Sequence, residues 1–107
     1  MGRIQGDGET PSIQDKKLYE AEYKQAADLF QRSLNEYNKS DNMYQKEEFK
    51  KVMKEAMQIL NDAAAELKRK DLNNQNDKIQ HDFDTFRSDD TQASALQADL
   101  TKAKRIV

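Results

Sequence analysis

The chain has 107 residues, with 18 Lys and Arg against 20 Asp and Glu, which gives a formal net charge of −2. This length suits one small domain, and only 23 residues are large aliphatics, Met or Phe. No apolar run approaches the ~20 residues of a membrane-spanning helix. The lack of Cys excludes disulfides and thiolate metal sites, and the single His disfavours most acid–base and zinc mechanisms.

Residues 1–10 are rich in Gly and polar side chains. We expect them to form a flexible tail, either natural or left from cloning, and they lack the apolar stretch of a secretory signal. Residues 11–107 contain no Gly and a single Pro, so we expect long helices within one helical domain. Without a signal or Cys, the compartment stays unknown, with the cytoplasm slightly favoured.

The first helix is predicted from apolar residues that recur at spacings of four and three, the pattern of one helix face. These residues are Tyr23, Ala27, Phe30, Leu34 and Tyr37, and the face is widened by Tyr19, Ala26 and Leu29. The polar run at 35–42 predicts the first turn. Asn42 and Gln45 have the spacing of a capping box for the next helix, with Ser40 and Asp41 as alternative caps.

The second helix has the most regular apolar spacing in the chain. Its inward residues are Phe49, Met53, Ala56, Leu60, Ala63 and Leu67. Four more apolar residues flank this stripe and predict contact with two neighbouring helices; they are Val52, Met57, Ile59 and Ala64. Residues 68–70 are basic and suit the last turn of this helix. The polar run at 71–77 predicts the second turn, with the chain reversing at Asn73 or Asn74.

The third helix is predicted from one apolar face formed by Ile79, Phe83 and Phe86. The pattern fails across 87–92, where Asp90 takes the next inward position, and then resumes with Ala93, Leu96, Leu100, Ala103 and Val107. Two interpretations remain open. The helix either continues with at most a kink, which we favour, or a separate helix begins after Ser88, with Asp89 and Gln92 as its capping box.

These elements predict an all-α fold, a small three-helix up-down-up antiparallel bundle whose third helix is kinked or split near Ser88. The predicted core consists of Tyr23, Phe30, Leu34, Phe49, Met53, Leu60, Leu67, Ile79, Phe83 and Phe86.

No group of residues has the pattern of a catalytic or metal site. Asp77, His81 and Asp84 share one side of a helix, but that side faces away from the predicted core, and the Glu-x-x-His pairs of a bundle metal centre are absent. No Gly-flanked Ser accompanies the His, and adjacent acids diverge on a helix. We therefore expect a non-enzymatic protein without catalytic, cofactor or metal residues and without a small-molecule substrate.

Nucleic-acid binding is disfavoured by the charge distribution along the chain. Through residue 70 there are 13 basic and 13 acidic residues, and this balance lacks the positive field that phosphate binding requires. No nucleic-acid partner is expected. The C-terminal cations permit only weak membrane-surface contact, because the apolar face beside them has few bulky residues, and no stable insertion is expected.

Protein contact is the remaining function class. Tyr and Met suit interfaces because they combine apolar contact with a polar tip or a flexible side chain, so we predict exposed contacts at Tyr19, Tyr44 and Met57. A bend near Ser88 would also free the C-terminal stripe for a partner helix or a second copy of the chain. Its predicted contact residues are Leu96, Leu100, Ala103 and Val107.

The sequence therefore favours a non-enzymatic protein–protein interaction module, such as an adaptor, chaperone or regulatory subunit. It would dock another protein, or a second copy of itself, through amphipathic helix faces. One alternative is a structural helical domain excised from a larger secreted or surface protein, or from a bacterial effector. A weaker alternative is a nucleic-acid or membrane-surface binder.

Overall fold

The computed structural model describes residues 13–89 and 92–107, and within these ranges the chain forms four α-helices and no strand. The helices are α1 (Ile13–Lys39), α2 (Met43–Leu67), α3 (Lys70–Ser88) and α4 (Ala93–Ile106). The all-α class is confirmed, but the expected number of helices is wrong, since there are four instead of three. The predicted tail at 1–10 lies outside the described residues.

The helix backbones neighbour one another in a ring, in which α1 and α3 each lie beside both α2 and α4. The Gln97 amide donates to Asn35 Oδ1 at 2.6 Å, and Lys104 Nζ lies 2.6 Å from Asp28 Oδ1. Because these partners run in opposite sequence directions, α4 is antiparallel to α1. Contact of α2 with two neighbours confirms what its wide apolar face predicted.

The end of α3 settles the two interpretations of the third helix in favour of a break. The N–H of Asp89 bonds to the carbonyls of Thr85 and Phe86 at 2.8 and 3.2 Å, and Asp89 itself is extended, with φ −148° and ψ 106°. The favoured continuous helix is therefore wrong. Gln92 is the N-cap of α4 but makes no side-chain capping bond. A continuous helix would have placed the Asp90 side chain at an inward position, where an unpaired carboxylate is costly.

The first turn is shorter than the polar run predicted, because α1 continues to Lys39. Asn42 is the N-cap of α2, as predicted, and its Oδ1 accepts bonds from the N–H groups of Tyr44 and Gln45 at 2.8 and 3.1 Å. The side chain of Gln45 instead accepts from the Ser40 hydroxyl at 3.0 Å. Helix propensity is a weak preference, and the inward Tyr37, 4% exposed, keeps the polar stretch helical.

The second turn lies earlier than predicted. The chain reverses at Lys68, whose φ of 52° is left-handed, and its N–H bonds to the carbonyl of Ala64 at 3.2 Å. Residues 71–77 belong to α3, so the predicted reversal at Asn73 or Asn74 is wrong. The physical reason is the fully buried Leu72, which anchors this Asn-rich segment to the core.

The buried residues form one cluster that draws on all four helices. Nine of the ten predicted core residues are buried, while Phe49 is partly buried and packs against the cluster. Phe30 and Phe83 meet edge to face, with ring centroids 5.2 Å apart, and so join α1 to α3 through the centre.

Candidate functional site

The C-terminal stripe, expected to be free for a partner, is part of the core. Leu96, Leu100 and Ala103 are fully buried, and Val107 is partly buried against the same cluster. The break after Ser88 turns α4 back onto α3 and α1 instead of releasing it. The expected exposure of this stripe is therefore wrong.

The three contact residues predicted outside that stripe have different surroundings. Met57 is 3% exposed and belongs to the core cluster, so its expected exposure is wrong. Tyr19 is partly buried and packs against the core. Tyr44 is 86% exposed, which confirms its predicted exposure, and its contact role stays a prediction.

A shallow groove follows the outer side of the α1–α2 pair, formed by three depressions that share lining residues. The depression toward the start of α1 has a volume of about 360 Å³, and the other two have volumes of about 410 Å³. We call this surface the α1–α2 groove. Its apolar floor consists of Ala26, Leu29, Phe49, Val52 and Ile59.

Four large apolar side chains of the floor keep part of their surface accessible to solvent. Ile59 is 39% exposed, while Leu29, Phe49 and Val52 are partly buried. Leu18, 58% exposed, lies three helical turns before Leu29 on the same side of α1. An apolar stripe of this kind, rimmed by polar side chains, is typical of an interaction surface.

Sequence reasoning missed this groove although it identified the residues. Their spacing predicts that Val52 and Ile59 contact neighbouring helices, but in the structure both keep exposed surface in the groove. The available signal was the spacing of seven between Val52 and Ile59, matched on α2 by acidic residues at the same spacing, Glu48, Glu55 and Asp62. This pairing of an apolar strip with an acidic one is typical of a helix edge that stays at the surface.

The groove is acidic at one end and mixed at the other. Glu22 and Asp62 line the end near the start of α1, where no cation lines the depression. Toward the α1–α2 turn, the carboxylates of Glu36 and Glu48 are accompanied by two cations, Arg32 and Lys39.

The pKa of Tyr19 reflects the acidic charges near the start of α1. The charge of Glu66, together with burial and the charges of Asp15 and Glu22, raises the pKa of the Tyr19 phenol above its ordinary value. Arg69 contacts Glu20 at 3.8 Å and Asp71 at 3.1 Å. Glu22, one of the charges that act on Tyr19, also lines the acidic end of the groove.

Cations instead collect on the α2–α3 side of the molecule. Lys46 and Lys50 lie over the Tyr37 ring at 5.1 and 5.6 Å from its centroid, and Arg87 lies 6.0 Å from that of Phe83. Lys54 lines the same surface. Glu47 lines this basic surface as well, so it is rich in cations without being free of acidic charge. Phe83 beneath it is 2% exposed, and Met43, 79% exposed, is the large apolar side chain at its edge.

One acidic residue is buried away from the groove. Asp99 is 6% exposed on α4, and Lys78 Nζ lies 3.6 Å from its Oδ1. Burial and the neighbouring carboxylate of Asp82 raise the pKa of Asp99 from 3.8 to about 6, against a smaller opposing effect of Lys78. The ion pair with Lys78 joins α4 to α3.

Asp77, His81 and Asp84 are exposed along α3. Across 13–89 and 92–107, no three His, Asp or Glu residues are grouped to hold a metal ion. None of the described helices is long and apolar enough to cross a membrane.

Comparisons with known protein families, curated proteins and solved structures find no match to this chain. The geometry of its own residues must therefore suggest its function.

Proposed function

We propose that this chain is a non-enzymatic protein-interaction module whose α1–α2 groove receives an amphipathic helix of another protein. The observation that carries the proposal is the apolar floor, on which Leu29, Val52 and Ile59 keep exposed surface in line along two adjacent helices. In this arrangement the partner adds a fifth helix beside a four-helix bundle.

The dimensions of the groove suit a helix. Its lining residues on α1 run from Glu22 to Lys39, a stretch of about 18 residues that at 1.5 Å per residue is about 27 Å long. A partner whose apolar residues recur every three or four positions along such a helix would place side chains over all three depressions. Completing the burial of one half-exposed Ile or Leu contributes only about 1 kcal/mol, so affinity requires several such contacts together.

The sequence-based expectation of protein contact is kept, but its location changes. The C-terminal stripe stabilises the chain's own core, and the α1–α2 groove takes its place as the docking surface. An adaptor, a chaperone and a regulatory subunit would all use such a surface.

A designed peptide tests the proposal. The probe is a helical peptide of about 18 residues with a Leu stripe and a Gln and Ser polar face, titrated into the labelled chain and followed by amide chemical shifts. Shifts concentrated around Leu29, Val52 and Ile59 are expected. Shifts scattered over all four helices, or no shifts, would contradict the proposal.

Two matched variants locate the binding. Ile59→Ser removes the most exposed part of the floor, whereas Gln58→Ser changes its exposed neighbour, which does not line the groove. We expect the first to weaken peptide binding about fivefold, equivalent to about 1 kcal/mol, and the second to leave it unchanged. Equal effects would show that the peptide does not use the groove.

A further inference from the structure

We infer that the α1–α2 groove selects a cationic amphipathic helix, one with Lys or Arg beside its apolar stripe. The inference rests on the proposed function and specifies the chemistry of the partner. It comes from the placement of carboxylates around the apolar floor.

The end of the groove near the start of α1 contains only acidic charges. Glu22 on α1 and Asp62 on α2 line it on either side of Leu29 and Ile59, and no Lys or Arg contributes to that depression. A helix whose apolar residues cover this floor would place its flanking side chains beside these two carboxylates. Lys and Arg suit those positions because their apolar stems cover the floor while their charged ends reach the rim.

The α2 side of the groove repeats this acidic charge. Glu48 and Asp62 line the groove, and Glu55 lies midway between them along α2, seven residues, or about two turns and about 10 Å, from each. A partner helix lying along the groove repeats its own side chains at the same interval, so cations at i, i+7 and i+14 can pair with all three. Glu48 is partly neutralised already, since Lys51 Nζ lies 3.4 Å away.

The mixed charges at the other end of the groove favour one orientation of the partner helix. Arg32 and Lys39 line the groove near the α1–α2 turn together with Glu36 and Glu48. Cations of the partner are therefore favoured over Glu22 and Asp62, and a neutral or mixed segment over the turn end. A uniformly acidic helix would be repelled along most of the groove.

A second copy of this chain fits the groove less well than a cationic partner. Two grooves placed face to face would combine eight lining carboxylates with four lining cations, because each groove has four of the former and two of the latter. The basic α2–α3 surface does not replace the partner, because Met43 alone among the large exposed apolar side chains of the described residues lines it, and one side chain cannot cover the floor.

Three peptides with one common Leu stripe test the inference. Their polar positions carry Lys, Gln or Glu, and their affinities are compared by fluorescence anisotropy. At about 50 mM salt we expect the Lys peptide to bind about tenfold more tightly than the Gln peptide, and the Glu peptide to bind most weakly. At about 500 mM salt the Lys preference should fall to about twofold or less, because exposed charges are then screened.

A charge-neutralising variant identifies the carboxylates responsible. Glu22→Gln with Asp62→Asn is expected to remove most of the Lys preference while the Gln peptide keeps its affinity. The matched control, Asp77→Asn with Asp84→Asn, removes the same charge from exposed positions on α3 and should leave the preference intact. If both double variants reduce it equally, net charge and not the groove determines the preference, and the inference is wrong.

The outcomes also separate the inference from the proposed function. If the Gln peptide binds at Leu29 and Ile59 but the Lys peptide binds no better, the groove is a helix site without charge selection and the inference is overturned. If no peptide binds, both fail. A dimer that forms without peptide, and that Ile59→Ser dissociates in light scattering, would replace the cationic partner with a second copy.

Discussion

Tyr23 donates a hydrogen bond of 2.8 Å from its phenol to Oδ1 of Asn76, and both side chains are buried. The Asn76 amide donates in turn to Asn61 Oδ1 at 2.7 Å, and the Asn61 amide donates to Gln80 Oε1 at 2.8 Å. The chain of bonds links α1, α3 and α2. Because a shifted helix would leave buried polar groups unpaired, this network favours one alignment of the three helices.

Tyr23→Phe tests this relationship. It removes the donor while leaving the ring, so Asn76 Oδ1 loses a partner inside the core, and we expect the free energy of unfolding to fall by about 1 to 2 kcal/mol. Chemical denaturation followed by circular dichroism gives the value. Tyr44→Phe is the control, because Tyr44 is 86% exposed and should change nothing. A loss no larger than that of the control would mean that the bond contributes nothing to stability.

The same burial raises the pKa of Tyr23 above its ordinary value of 10.0. In an alkaline titration followed by phenolate absorbance, we therefore expect Tyr23 to ionise only as the protein unfolds. Tyr23→Phe should remove this late step, and a wild-type titration in which every Tyr ionises together, before helicity is lost, would contradict it.

Asp99 should make stability depend on pH in the opposite sense to most carboxylates. Its pKa rises from 3.8 to about 6, mainly through burial, so between these values the folded chain holds a proton that the unfolded chain has lost. The contribution of Asp99 to the free energy of unfolding therefore decreases as the pH rises from 3.8 to about 6. Asp99→Asn should remove this decrease and stabilise the protein near neutral pH by about 1 kcal/mol.

Asp71 should change the pH dependence of stability in the direction opposite to Asp99. The Leu72 N–H and Arg69 lower the pKa of Asp71 below its ordinary value, so its contribution is present above that value and lost as the pH falls. Unfolding curves measured across the acid range should show Asp71→Asn and Asp99→Asn changing the pH dependence in opposite directions. The same change in both would show that Asp99 is not a buried acid with a raised pKa.

The buried C-terminal stripe predicts a loss of stability when it is altered. Leu100→Ala leaves a cavity between α4 and its neighbours and is expected to cost about 2 to 4 kcal/mol, whereas Leu18→Ala, at a position 58% exposed, should cost little. Thermal unfolding measures both. Leu96→Asp with Leu100→Asp should detach α4, seen as faster amide exchange in residues 93–106. If these variants keep full protection in α4, the observed packing is wrong.

Spacing alone predicted α1 and α2 well, because their inward residues follow one period for many turns, and it placed the Asn42 cap correctly. It failed at 71–77, where Asn76 looked like a turn residue but serves as a buried hydrogen-bond partner of Tyr23. Asn occurs both in turns and as a hydrogen-bond partner inside a core, and only its tertiary contacts distinguish the two roles. The groove was missed for a related reason, since Ile59 differs from a core residue only in how much of it the neighbours cover.

Lys68 holds the reversal between α2 and α3 in a conformation that favours glycine. Its φ of 52° and ψ of 36° are left-handed, which costs a residue with a Cβ about 1 kcal/mol. Lys68→Gly should therefore stabilise the protein by up to about 1 kcal/mol, with the gain reduced by the greater freedom of Gly in the unfolded chain. Lys54→Gly, in the middle of α2, should instead destabilise it by about 1 kcal/mol. Denaturation midpoints that move the same way in both variants would contradict a left-handed reversal at this residue.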